Sequence, residues 1–304
     1  MIANFKVKYV GEGIDQDVPF VSVRYSGAYD LAKTLDCGQC FRWEIVEGSS
    51  HECEFIGVAH GKLISVAKDG DVLTFYNSDK KDFEELWCHY FALDEDYDAI
   101  DKELLENCND ETFAKAQSIG RGIRILRQEP WETVCSFIIS QNNNIPRIKK
   151  IINSLSAALG ERISPHGMEK HGATRDFYSF PTPQAVDAAG ERFLFELKTG
   201  FRAKYIADAA QKWVGGELDP ARVNEIDALD EAIEYLCSVK GIGIKVASCA
   251  LLFGFERYDA FPVDVWMKRV LEKHFDKDFD PAAFGRYAGI AQQYLFDYER
   301  NSNK

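Results

Sequence analysis

The chain has 304 residues, 46% of them hydrophobic and 28% charged, and carries a formal net charge of -13. This balance excludes a disordered or fibrous chain and, at roughly 150 residues per domain, suggests about two domains. No apolar run approaches the ~18 residues of a membrane span, and no basic and apolar leader opens the sequence, so a cytoplasmic protein with no membrane partner is expected. The acidic total argues against nucleic acid, whose partners usually carry a basic footprint. Backbone amides at helix N-termini also bind phosphates, however, so one face can grip DNA within an acidic whole.

Residues 1 to about 80 read as strands: FKVKYV, PFVSVRYSG, FRWEIV, EFIGVAHGKLISVAK and DVLTFYN, with turn signals at GEG, EGSS, HG and KDGD. Connections this short require an antiparallel sheet. A helix is expected from about Lys81, and another over DYDAIDKELLE. From about Glu111 the apolar period becomes helical, beginning with ETFAKAQSIGRGIRIL and ending with DPAAFGRYAGIAQQYLFDYER. Asp280-Pro281 has the form of a helix start, and Gly160 and Gly254 stand where helices should stop. The expected fold class is α+β, with an antiparallel sheet plus helices over 1–110 and a helical domain over 111–304.

Eight cysteines are scattered through apolar patterns, so free buried thiols are expected rather than a disulfide framework. Cys37-Gly-Gln-Cys40 with His51 and Cys53 is only a weak signal for zinc or a redox pair. No iron–sulfur ligand run follows Cys249.

The stretch Leu236–Arg269, LCSVKGIGIKVASCALLFGFERYDAFPVDVWMKR, organises the rest. Gly241-Ile-Gly243-Ile-Lys245-Val-Ala247 superficially satisfies a dinucleotide-binding fingerprint. That fingerprint needs a buried strand before the first glycine, whereas the preceding LDEAIEYLCSV is polar and helix-periodic. The other reading is a helix-hairpin-helix, in which a glycine turn brings free amides close to a phosphate. Lys245 then sits at the positive end of the second helix, where the dipole and desolvation disfavour its charged form and favour a nucleophilic amine. Asp264, at the next expected helix start, caps that helix or stabilises positive charge on a sugar as a base departs.

LCSVKGIGIKVA followed by FPVDVW resembles the helix-hairpin-helix DNA glycosylases with their Pro-Val-Asp loop, and among them the bifunctional 8-oxoguanine DNA glycosylase/lyases. Cys37-Gly-Gln-Cys-Phe-Arg-Trp43, Ser140-Gln-Asn-Asn-Asn-Ile-Pro-Arg147 and Gly200-Phe-Arg-Ala-Lys-Tyr carry the narrower likeness, which runs from about Leu35 to Phe296. The resemblance implies that Lys245 is the nucleophile and Schiff-base residue, with Asp264 as its electrostatic partner. It implies that the Gly38 carbonyl accepts the N7 hydrogen found on 8-oxoguanine and absent from guanine. Cys249 and Phe296 would sandwich the flipped base while Gln292 reads its Watson–Crick edge. Asn142, Arg147 and Arg202 would hold the orphaned cytosine and Phe201 would fill the gap. The hairpin around Gly241, Gly243 and Val246 would grip the backbone. Carbonyls of Cys237, Val239 and Ile242 would bind a structural monovalent or calcium-like cation, and no cofactor is required.

The implied partner is double-stranded DNA carrying 8-oxoguanine, preferably opposite cytosine, bound by a monomer. Three positions depart from the family pattern: Trp266 replaces a phosphate-contacting histidine, Phe201 a tyrosine, and Lys240 a common proline. The alternatives are a related glycosylase for another lesion, such as an alkylated base, and a DNA-binding module without activity.

Overall fold

The computed structural model describes residues 6–302; Phe5, the first residue of the first expected strand, lies outside them. Six antiparallel strands form the N-terminal sheet: β1 Val7–Asp15, β2 Val18–Tyr25, β3 Trp43–Ile45, β4 Cys53–Ala59, β5 Lys62–Asp69 and β6 Val72–Tyr76, in the order β1-β2-β6-β5-β4-β3. His60-Gly61 and Gly70 turn the β4–β5 and β5–β6 hairpins with positive φ, as two-residue connections require. The first expected turn falls elsewhere. Gly11-Glu-Gly13 continues β1 past a bulge between Tyr9 and Gly11, and the chain reverses at Gln16-Asp17, both in the left-handed region. A polar pair with an aspartate tolerates that conformation, and glycine in a strand often marks a bulge.

Strand alternation buries both sheet faces. Val21, Val23, Ile64, Val66, Leu73 and Phe75 pack on one side with Trp87 and Phe91. Val18, Ile56, Val58, Leu63 and Ala67 pack on the other with Met168, Ala173 and Phe177 from the later half of the chain. The covering excursion is held at its neck by a small hairpin pairing Arg162–Ile163 with Phe177–Tyr178. Beneath it His171 Nδ1 lies 2.7 Å from Glu54 Oε1, with the Tyr76 ring stacked 3.8 Å from the imidazole.

The helices that follow share one large core. The helix expected through Leu126 stops at Gly120, and Gly122 takes φ +105. A Cβ at Gly122 would stand 2.9 Å from the Asp30 backbone nitrogen, so this sharp turn depends on glycine. The extended segment after it docks the two halves. The buried Arg124 guanidinium lies over the Tyr97 ring at 4.0 Å, while Leu126 N–H donates to Gln39 Oε1. The C-terminal segment also divides: a 3-10 stretch, Pro281–Tyr287, is broken at Gly285 before the helix Ala288–Ser302.

Candidate active site and nucleic-acid interface

Four stretches of the chain, around Gly38, Asn143, Lys245 to Asp264 and Gln292, converge on two hollows that share lining residues. The helix Leu229–Cys237 leads into the glycine turn, and the helix Ile244–Gly254 leaves it. A helix, not a strand, therefore precedes the glycines, and the dinucleotide reading fails. Gly241 adopts φ +81, and a Cβ there would come within 2.3 Å of the Tyr205 ring, so the hairpin lies directly on that tyrosine. Asp208 anchors it from below: its Oδ2 accepts the Lys240 N–H at 2.9 Å and its Oδ1 pairs with the Lys240 ammonium at 3.0 Å. Burial raises the Asp208 pKa, but the Lys240 contacts and Lys212 outweigh this and hold the carboxyl below its ordinary value. Gly243 caps the second helix without a side chain, leaving the first-turn amides without intrahelical partners.

Lys245 and Asp264 both line a cleft of about 720 Å³ and a smaller pocket of about 180 Å³. Ser140 and Asn143 are the other residues common to both. The Lys245 ammonium sits 5.4 Å from the Phe137 ring centroid, and Phe137 stacks on Phe253. Asp264 caps Val265–His274, one carboxylate oxygen accepting the Met267 N–H at 2.8 Å. Capping occupies only that oxygen and so does not exclude a second role. Cys249 is close enough to feel both charges. Burial pushes its thiol up to about 11, with Lys245 lowering and Asp264 further raising it.

The smaller pocket brings together Gly38, Cys249, Gln292 and Phe296, from segments more than 250 residues apart. Gly38, at φ +86, is held by the buried Gln39 side chain. Gln39 Nε2 donates to the carbonyls of Thr34 and Arg124, both at 2.7 Å, and its oxygen receives Leu126. Burial pushes the neighbouring Cys37 thiol up to about 12 and raises the Cys40 thiol well above its ordinary value. Both are free, and no metal-holding group of three or more His, Cys, Asp or Glu occurs among the described residues.

Asn142, at φ 47, lines the larger cleft beside Lys245. Asn144, rather than Asn142, caps the helix Ile145–Leu159 by accepting the Arg147 N–H. Arg147 and Phe201 are exposed outside both hollows. Arg202 is buried, donating to the carbonyls of Gln141, Asn142 and Thr199, with its guanidinium 4.4 Å from the Phe201 ring centroid. Burial and then the nearby Arg147 charge lower its pKa. Val246 is largely buried but lines the cleft; Cys237 and Val239 lie away from it, and the Val239 carbonyl accepts the Ile242 N–H at 3.1 Å. Exposed Trp266 lies at the cleft with Lys268.

Sequence reasoning missed Phe41, Phe137, Ser140, Asn143, Pro262 and Gln293 as pocket residues. Ser140 and Asn143 flank the quoted Asn142, and Pro262 belongs to the Pro-Val-Asp loop. Phe41 lies within the quoted Cys37–Trp43 stretch, whereas Phe137 carries no local signal beyond core periodicity.

A glycine hairpin over a lysine helix, with an aspartate-capped helix facing it, places this fold among the helix-hairpin-helix base-excision proteins. The family model for the HhH-GPD superfamily base excision DNA repair proteins matches residues 135–282, and that for the 8-oxoguanine DNA glycosylase N-terminal domain matches 23–134. The chain belongs to the 8-oxoguanine DNA glycosylase family of N-glycosylase/DNA lyases. It is 34% identical to the Saccharomyces cerevisiae N-glycosylase/DNA lyase over 81% of this chain and 68% of that protein. The Clostridium acetobutylicum 8-oxoguanine glycosylase/lyase, solved with double-stranded DNA containing cytosine opposite 8-oxoguanine, superposes with a TM-score of 0.86 at 36% identity, covering 99% of this chain and 100% of that one. A 3-methyladenine DNA-glycosylase from Archaeoglobus fulgidus, at 19% identity and a TM-score of 0.69 over 92% of this chain and 98% of that one, shares the fold.

Proposed function

We propose that this chain excises 8-oxoguanine from duplex DNA, preferably opposite cytosine, and cleaves the abasic strand through a lysine Schiff base. The observation that carries this reading is the meeting of Lys245 and Asp264 at the junction between a base-sized pocket and a wider cleft. The pocket lies below the ~300–1,000 Å³ of drug-sized ligand sites, consistent with one flipped heterocycle.

The Lys245 amine attacks the sugar C1′, and the C1′–N9 bond breaks with its electron pair leaving on the base. Asp264 stabilises the positive charge that develops on the sugar. Ring opening yields an imine on Lys245, and loss of a C2′ proton expels the 3′ phosphate, nicking the strand. Gly38 accepts the lesion's N7–H, a bond guanine lacks; a site built around one such bond rejects the analogue without it. Cys249 and Phe296 enclose the base and Gln292 meets its Watson–Crick edge. The burial that keeps Cys249 a neutral thiol suits a packing surface.

Asn142, Arg147 and Arg202 receive the orphaned cytosine, and the exposed Phe201 ring fills the gap. The hairpin amides around Gly241, Gly243 and Val246 hold the backbone. The carbonyl oxygens of Cys237, Val239 and Ile242 are hard donors that suit a structural monovalent or calcium-like cation. The Lys212 ammonium on the neighbouring Ser238 carbonyl supports the attraction of that turn for positive charge. Chemistry at Lys245 requires no cofactor. The protein works as a cytoplasmic monomer, associated with the nucleoid in a bacterium; no helix among the described residues is long and apolar enough to cross a membrane.

Single-turnover assays on matched duplexes containing 8-oxoguanine, guanine or 3-methyladenine opposite a pyrimidine test this function. Excision and nicking confined to the 8-oxoguanine duplex are expected. Equal excision of guanine overturns the Gly38 role, and preferential excision of 3-methyladenine overturns the substrate.

A further inference from the structure

Two consecutive glutamines of the C-terminal helix, Gln292 and Gln293, line the small pocket, each about nineteen-twentieths buried. Gln293 Nε2 donates to Gln292 Oε1 at 2.7 Å, while Gln293 Oε1 is buried without a partner. Native interiors seldom leave such an oxygen unpaired, and each case calls for an explanation. The helix cannot rotate to relieve it, because the next residue, Tyr294, is fully buried and bonds Asp101 at 2.8 Å. Reversing both amides would replace one unpaired oxygen with an unpaired NH2 bearing two donors. The arrangement therefore has a preferred direction.

We propose that Gln293 is a positioning residue that sets the direction of the Gln292 amide, and thereby which purine edge the pocket accepts; this rests on reading the pocket as the 8-oxoguanine site. A primary amide is nearly symmetric in shape but opposite in polarity at its two ends. With its oxygen held by Gln293, Gln292 has its NH2 end available for an acceptor. The 6-position of 8-oxoguanine is a carbonyl acceptor, whereas that of 8-oxoadenine is an amino donor. An amide held with its NH2 facing the 6-position matches the first and opposes the second; a freely turning amide accommodates both.

Gln293→Met keeps the side-chain length and removes the bond. Gln293→Glu, when ionised, is acceptor-only and must take the Gln292 NH2, turning its oxygen outward. Single-turnover excision is measured on 8-oxoguanine and 8-oxoadenine, each opposite cytosine, with nicking of a preformed abasic site normalising each variant for folded enzyme. The 8-oxoguanine to 8-oxoadenine rate ratio should fall about tenfold in Gln293→Met, the scale of one hydrogen bond, and further in Gln293→Glu. An unchanged ratio in either variant that nicks abasic DNA, including equal slowing on both lesions, overturns the proposal and leaves a packing role. Wild-type enzyme that nicks abasic DNA but does not excise 8-oxoguanine instead overturns the pocket reading, and this inference with it; that result appears without any variant.

Discussion

Asp264 caps a helix, and in the mechanism proposed above the same carboxylate also stabilises charge on the sugar, two tasks that are separable. Asp264→Asn retains an oxygen for the Met267 N–H but removes the charge. Melting temperature should change little, while single-turnover excision should fall by ~10²–10³, the scale of a lost charge-stabilising group. Parallel loss of stability and rate would return Asp264 to a capping role alone. Cys249, with its thiol near 11, stays neutral from pH 7 to 9, so Cys249→Ala should leave the shape of the excision pH profile unchanged over that range. Lys245 and Asp264 were legible because a short motif places each at a helix start. Phe137, Phe253 and Gln293 were not: their periodicity marks burial, and only tertiary packing decides which buried faces line a hollow.

Among the elements, the hairpin depends on a carboxylate outside the motif. Asp208→Ala would leave the Lys240 N–H without its partner, costing about 1–3 kcal/mol. Urea denaturation checks the stability loss, and faster amide exchange at Lys240 and its neighbours would place it in the hairpin. The helix Pro130–Ser140 carries a pH-sensitive link to the N-terminal half: Glu132 stands 3.4 Å from Arg42. Burial pushes Glu132 up to about 7; Arg42 opposes that rise and Glu129 adds to it. A carboxyl raised above its ordinary 4.5 contributes stability that is fully present below 4.5 and is lost as pH rises through about 7. The melting temperature of Glu132→Gln relative to wild type should therefore increase between pH 5 and 8, and a constant difference would contradict the assignment. Element type was legible from period, but element ends were less so. The helix expected through Leu126 ends at Gly120 because Gly122 must make a close turn against Asp30, a constraint absent from local pattern.

At the scale of the whole molecule, the sheet and helical halves are joined by more than their shared core. The excursion around Met168 covers the outer sheet face, and Glu54–His171 fastens it. Glu54→Ala would leave the His171 Nδ1 and the Ser65 hydroxyl without their buried carboxylate partner, and a buried polar group left unpaired costs ~1–3 kcal/mol, measurable by urea denaturation. That cover was invisible in the sequence because it is an irregular segment distant from the strands it packs on. The proposed grip would reconcile the -13 charge with a DNA substrate by staying local, at the first-turn amides of the hairpin and at Lys245 and Lys268, which line the cleft.

The central claim is that Lys245 forms a covalent imine with the damaged nucleoside's sugar. Borohydride trapping on duplex carrying 8-oxoguanine opposite cytosine tests it most directly, with the adduct mapped by peptide mass spectrometry. Wild-type protein should give a one-to-one adduct on Lys245, and Lys245→Gln should give none. Excision by wild type without any trapped adduct, an adduct on another residue, or equal trapping by Lys245→Gln would contradict the mechanism.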